Sequence, residues 1–135
     1  MRKSSRRVRT VVRAGLFAAA SVLVGPSPAY ATSTCTTSLY IATEGRKPHD
    51  APALSNGSVN CQLKRNNRGE AVRAPQNAMQ MCYEKRIEAD RIFGGDTETA
   101  LRSVQRAIGV ADDGIYGPNT RRAMKFWNTN GCSKL

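Results

Sequence analysis

Few side chains in this sequence have the types and spacing that a reaction needs. His49 is the sole histidine, so a histidine-rich zinc cluster of the hydrolytic kind has no ligands to draw on. Cys35, Cys61, Cys82 and Cys132 show no CxxC spacing. An even count of cysteines in a small chain reads as two disulfides, which leaves no thiolate nucleophile. Glu84 and Glu88 stand at i, i+4 and would share a helix face, but glycoside hydrolysis needs two carboxylates placed across a substrate, and helix-surface acids are ordinarily solvated. The reading is of a chain that is not an enzyme, with no catalytic residues, no metal and no cofactor. Three disulfide pairings fit the count. The expected one is Cys61–Cys82 with Cys35–Cys132, which ties a helix to the segment before it and the two chain ends to each other. Each bond would contribute roughly 3–5 kcal/mol in the chain-entropy account.

The amino-terminal stretch sets the compartment. Arg2, Lys3, Arg6, Arg7, Arg9 and Arg13 form a basic region without acids, and Ala14 to Val24 is an uncharged apolar run of eleven residues. A membrane-spanning helix needs roughly 20. Gly25 and Pro26 break the run, and Ala29-Tyr30-Ala31 presents small residues where a signal peptidase reads them. Residues 1–31 are therefore expected to be a signal peptide, cleaved before Thr32, with the general and twin-arginine export routes both open. Export implies a secreted or wall-associated protein, with no membrane partner after cleavage. Loss of six basic residues and no acids lowers the formal charge from +11 to +5. The remaining basic residues are scattered, which does not make a nucleic-acid footprint.

The elements that must position the rest fall after Cys61. Residues 32–60 are rich in Thr, Ser, Gly and Pro, with one apolar patch at Leu39-Tyr40-Ile41, and read as an irregular arm held by Cys35. Residues 61–135 form the domain. A first helix is expected over Glu70–Tyr83, with Val72, Met79 and Cys82 on one face. A second is expected over Asp96–Ile108, with Ala100, Leu101, Val104 and Ile108 in one stripe. A third is expected over Asn119–Asn128, with Ala123, Met124 and Trp127 in the same pattern. Pro118 suits a first helical position, and Gly109 and Gly131 suit helix stops. Helices this short are not stable alone, so the expected fold is all-α: a compact, monomeric three-helix bundle with two disulfides.

The inter-helix loops repeat. At a shift of 23 residues, Asp90, Ile92, Gly94, Thr97 and Ala100 are matched by Asp113, Ile115, Gly117, Thr120 and Ala123. Phe93, Asp96 and Leu101 are paired with the similar Tyr116, Asn119 and Met124. A fixed shift means one supersecondary unit used twice. Asp113-Gly114 is a turn dipeptide, Ile115 and Tyr116 plug the bundle, and the Thr120 hydroxyl can meet a free N–H in the first helical turn.

The run from Asp113 to Thr120, preceded by Val104-Gln105 and by Gly69 to Val72, resembles the peptidoglycan-binding domain carried by many bacterial wall hydrolases. Gln76, Asp90, Ile92, Phe93, Gly94, Thr97, Ala100 and Leu101 match the same pattern, and the resemblance covers about residues 61–130. It implies a groove for glycan or stem peptide beside the repeated loops, with Asp90, Phe93, Thr97, Asp113, Tyr116 and Thr120 as the loop set and Gln105 as a polar liner. Tyr116 and Trp127 are the aromatic plates suited to sugar faces. The same residues have a purely structural use as turn, cap and core. The chain departs from the family pattern at Pro75, where leucine is usual, at Arg91, where glycine is usual, and at Asn128, which stands where the second helix has Gln105. The expected function is a secreted, non-catalytic module for bacterial cell-wall peptidoglycan. The alternatives are a cationic effector or inhibitor of a protein partner, and a small wall hydrolase.

Overall fold

The computed structural model describes residues 32–42, 45 and 47–135; the expected signal peptide lies outside them. The element order is β1 (Thr37–Ile41), β2 (His49–Ala53), α1 (Glu70–Tyr83), α2 (Gly95–Ile108), α3 (Pro118–Ala123), β3 (Lys125–Asn128) and β4 (Gly131–Lys134). The strands form two antiparallel pairs, β1 with β2 and β3 with β4. The three helices are therefore accompanied by two hairpins, and the expected all-α bundle is corrected.

Helix α1 spans the expected residues. It carries Pro75 inside a continuous helix and buries Ala71, Val72, Ala74, Pro75, Gln76, Ala78 and Met79 along one side. Proline removes one backbone bond, and burial of the ring among core residues offsets that loss. Helix α2 begins with Asp96 and Glu98 in its first turn and has Arg106 in its last, each sign matching the end of the helix dipole it meets. It stops at Gly109, whose φ of 75° is left-handed, as a C-terminal glycine allows.

Helix α3 starts at Pro118 but ends at Ala123, five residues before the expected end. Met124 is already extended, and Phe126 and Asn128 turn inward while Lys125 and Trp127 turn outward. This period of two defines a strand. Ala123, Met124 and Trp127 fit the helical pattern only because the stretch is too short for the two periods to separate. Gly131, with φ 114°, opens β4 after the hairpin turn and does not stop a helix.

Residues 32–60 hold a paired hairpin, Thr37↔Ala53 through Ile41↔His49, and so are not an irregular arm. Strand β2 has one face, His49, Ala51 and Ala53, with no exposed surface, and on the other face Pro52 is buried and Asp50 half-buried. His49 Nε2 lies 2.7 Å from both Ser133 Oγ and Asn128 Nδ2. That cluster joins the first hairpin to the last one.

The disulfides are Cys35–Cys61 and Cys82–Cys132, with Cα separations of 5.0 and 5.7 Å. Both expected pairs are corrected. The Cys35 amide donates to the Gln62 carbonyl at 3.0 Å, and the Gln62 amide donates to the Ser33 carbonyl at 2.9 Å. This parallel contact places Cys35 beside Cys61. Strand β4 returns to the end of α1 and brings Cys132 to Cys82. The main core comprises Leu63, Val72, Met79, Phe93, Leu101, Val104, Tyr116, Met124 and Phe126. Tyr116 and Phe126 meet edge to face at 6.3 Å between ring centroids, a geometry worth about 0.5–1.5 kcal/mol beyond burial.

Candidate functional site

The two repeat units close on themselves by the same hydrogen bonds. In the second, Gln105 Nε2 donates to Asp113 Oδ1 at 3.0 Å, to the Ile115 carbonyl at 2.9 Å and to Thr120 Oγ1 at 3.0 Å. Its Oε1 accepts the Gly114 amide at 2.9 Å. Asp113 Oδ1 also accepts the Ile115 amide at 2.9 Å. In the first unit, Gln76 Nε2 donates to Asp90 Oδ1, the Ile92 carbonyl and Thr97 Oγ1, each at 3.0 Å. Its Oε1 accepts the Arg91 amide at 3.0 Å, and Asp90 Oδ1 accepts the Ile92 amide at 2.9 Å. Each glutamine is fully buried on a helix and reads out the next loop. An amide is suited to this because it carries two donors and an acceptor in one plane.

The aromatic of each unit is plugged in by backbone pairing. Tyr116 exchanges hydrogen bonds with Leu63, both at 2.8 Å. Phe93 donates to the Asn67 carbonyl and accepts the Asn66 amide, both at 2.9 Å.

These contacts place the expected site residues. Asp90, Thr97, Gln105, Asp113 and Thr120 hold the loops together. Phe93 and Tyr116 are 1% and 0% exposed and offer no plate to solvent. Trp127 is outward on β3 and 44% exposed, so it stands apart from the loop set. Gln76, which makes the first clip, matches the family pattern but lies outside the shift of 23, and its role shows only when Gln105 is seen to do the same thing.

Outside the clips lie two clefts of similar size. One, about 500 Å³, is lined by Gln62, Val110, Ala111, Asp113, Ile115, Gly117, Pro118, Asn119, Thr120 and Arg122. The other, about 510 Å³, is lined by Arg86, Ile87, Glu88, Asp90, Ile92, Gly94, Gly95, Asp96 and Thr97. Each clip sits at the wall of its own cleft. The clip residues therefore shape the wall, while Asn119 and Arg122, both presented by α3, supply polar groups with outward reach at the second cleft. Sequence reasoning did not single out Gln62, Asn119 or Arg122, since none is part of the repeat's identities. The Asp90 carboxyl is held below the usual carboxylate range, first by the Ile92 amide and then by the Gln76 side chain.

Residues 68–124, which contain both clips, match the family model described as a putative peptidoglycan-binding domain. That segment belongs to the family. Among solved structures, the peptidoglycan-binding domain is similar to part of a peptidoglycan-binding protein from Clostridioides difficile, crystallised in complex with glutamine hydroxamate. Identity is 32%, over 47% of this chain and 39% of that one, with a TM-score of 0.45. It is also similar to the SleB N-terminal domain, at 30% identity over 46% of this chain and 85% of that one, with a TM-score of 0.40. The chain thus spans well under half of the first of these proteins. No curated protein is similar to it. Among the described residues, no helix of the domain or its flanking hairpins is long and apolar enough to cross a membrane.

Proposed function

We propose that the protein is a secreted, non-catalytic module that binds cell-wall peptidoglycan, and that the cleft of the second repeat unit receives the polymer. The carrying observation is that cleft itself: an open concavity within the family-matched segment, walled by the Gln105–Asp113–Thr120 clip and edged by Asn119 and Arg122. The clip fixes the loop without a ligand, so the cleft is preorganised and binding would not carry the cost of ordering it. Pro118 and Ile115 supply apolar surface for a sugar ring or a short aliphatic side chain, and Asn119 and Arg122 supply directed donors.

Two features support a role without catalysis. The loop acids are occupied in structural hydrogen bonds. Glu84 sits in a left-handed turn at the end of α1, while Glu88 lines the other cleft, so the two do not share the helix face expected of them.

The test is retention of the oxidised protein on purified sacculi stripped of teichoic acid, at low and high salt, with Arg122→Ala and Asn119→Ala beside it. Salt-resistant retention that weakens in either variant supports the reading. Retention abolished by salt, or unchanged in both variants, removes the second-unit cleft as the site.

A further inference from the structure

We infer that the cleft of the first repeat unit is a second binding site, for the charged peptide part of the wall rather than for its sugars. This rests on the wall-binding reading above. The internal repeat places the two clefts at equivalent positions: Ile87, Ile92 and Gly94 of one correspond, at the shift of 23, to Val110, Ile115 and Gly117 of the other. The apolar floor and the bend are retained. The edge is not. Glu88 and Asp96 stand where the second unit has Ala111 and Asn119, and Arg86 is added.

The first-unit cleft also continues into a neighbour. A concavity of about 330 Å³ shares Arg86, Ile87 and Asp96 with it and extends past Lys85 to Ala100 and Ser103 on α2. The two together make one groove with opposite charge at its ends. Glu88 marks the acidic end. Lys85 marks the basic end, where its Nζ donates to Ser103 Oγ at 2.7 Å.

Three of the five charged side chains along the groove, Arg86, Glu88 and Asp96, are also uncommitted, whereas Lys85 and Asp90 are hydrogen-bonded. Elsewhere the arginines at 65, 73, 91, 102 and 106 are all in ion pairs. Among the described residues, Arg86, Glu88 and Asp96 have no ion pair or side-chain hydrogen bond. An elongated groove with free charges of both signs complements an extended chain that bears both an amine and a carboxylate. Stem peptide has both. An N-acetylated glycan strand offers no amine to Glu88 and Asp96.

The test is a titration of the ¹⁵N-labelled oxidised protein with a synthetic stem pentapeptide containing lysine, and with the same peptide acetylated on its ε-amine. The expected result is saturable shifts of backbone amides within 86–103. Acetylation, Asp96→Asn or Glu88→Gln should each weaken binding by roughly 3- to 5-fold, the scale of one solvent-exposed charge pair. Both acids are exposed, so the variants should fold, and their amide spectra will verify it. Sacculus retention is measured in parallel. Retention with no peptide shifts, or with shifts confined to 110–122, overturns the second site and leaves wall binding standing. Loss of both retention and shifts overturns the two together. Shifts at 86–103 that are unchanged by acetylation overturn the charge assignment.

Discussion

Replacing Gln105 by alanine would leave the buried Gly114 amide without its acceptor and remove the donor shared by Asp113, the Ile115 carbonyl and Thr120. Loss of several buried hydrogen bonds at once should cost about 2–4 kcal/mol, read as a lowered denaturation midpoint, and Gln76→Ala should do the same to the first unit. Neither change should act only on binding. The repeat also explains an odd residue. Arg91 occupies the position of Gly114, and both have positive φ, 65° and 72°. Glycine accepts that conformation without strain, whereas an arginine pays about 1 kcal/mol. Arg91→Gly should therefore hold or raise stability, despite losing an exposed ion pair with Glu70. Gly114→Ala should destabilise, because the new Cβ would meet Glu98 Cγ at 2.8 Å as well as carrying the strained φ. Tyr116 gives a third contrast. Its hydroxyl is buried without a hydrogen-bond partner among the described residues, so Tyr116→Phe should be neutral or stabilising by up to about 1 kcal/mol. The pH dependence follows from Asp90. Its folded-state pKa is depressed by the Ile92 amide and the Gln76 side chain, so its contribution is complete above the unfolded value of about 4 and is lost as pH falls through the folded value. Urea midpoints taken from pH 5 downward should fall less steeply in Asp90→Asn than in the parent.

At the scale of elements, legibility followed period and length. Helices α1 and α2 were readable because each has several turns of apolar spacing, and the turn dipeptide Asp113-Gly114 announced the second loop. The strands were not readable. His49–Ala53 (HDAPA) contains a histidine, an aspartate and a proline, and its strand character comes from pairing with β1 and from packing against α1 and β3. Lys125–Asn128 is four residues long, too short for alternation to stand out from a helical stripe. The disulfides depended on that missing hairpin, since Cys132 reaches Cys82 only because β4 folds back. Replacing Cys82 and Cys132 together by serine opens a loop with a sequence separation of 50. The change should cost about 3–4 kcal/mol and release the amides of β3 and β4 to hydrogen exchange before those of α2. Equal protection in all three would mean that the hairpin is held by its core residues, Phe126 foremost, and not by the bond.

At the scale of the molecule, the repeat makes two loops, each closed by a glutamine from the helix that precedes it, and leaves a cleft outside each closure. The residues that the repeat singles out are engaged in closing the loops or in filling the core. The identities shared by the two units mark what both loops need in order to fold, whereas the groups that reach out, Asn119 and Arg122 in one and Glu88 and Asp96 in the other, are not among those identities, Asp96 and Asn119 being similar only. The same holds for the aromatic residues: Tyr116 matches the pattern because it fills the core. The central claim is that the second-unit cleft holds the wall polymer. Its most direct test is retention on stripped sacculi at high salt for the parent, Arg122→Ala and Tyr116→Phe. The parent and Tyr116→Phe should be retained, and Arg122→Ala should be retained more weakly. Full retention of Arg122→Ala together with Asn119→Ala, or loss of retention in a folded Tyr116→Phe, would contradict it.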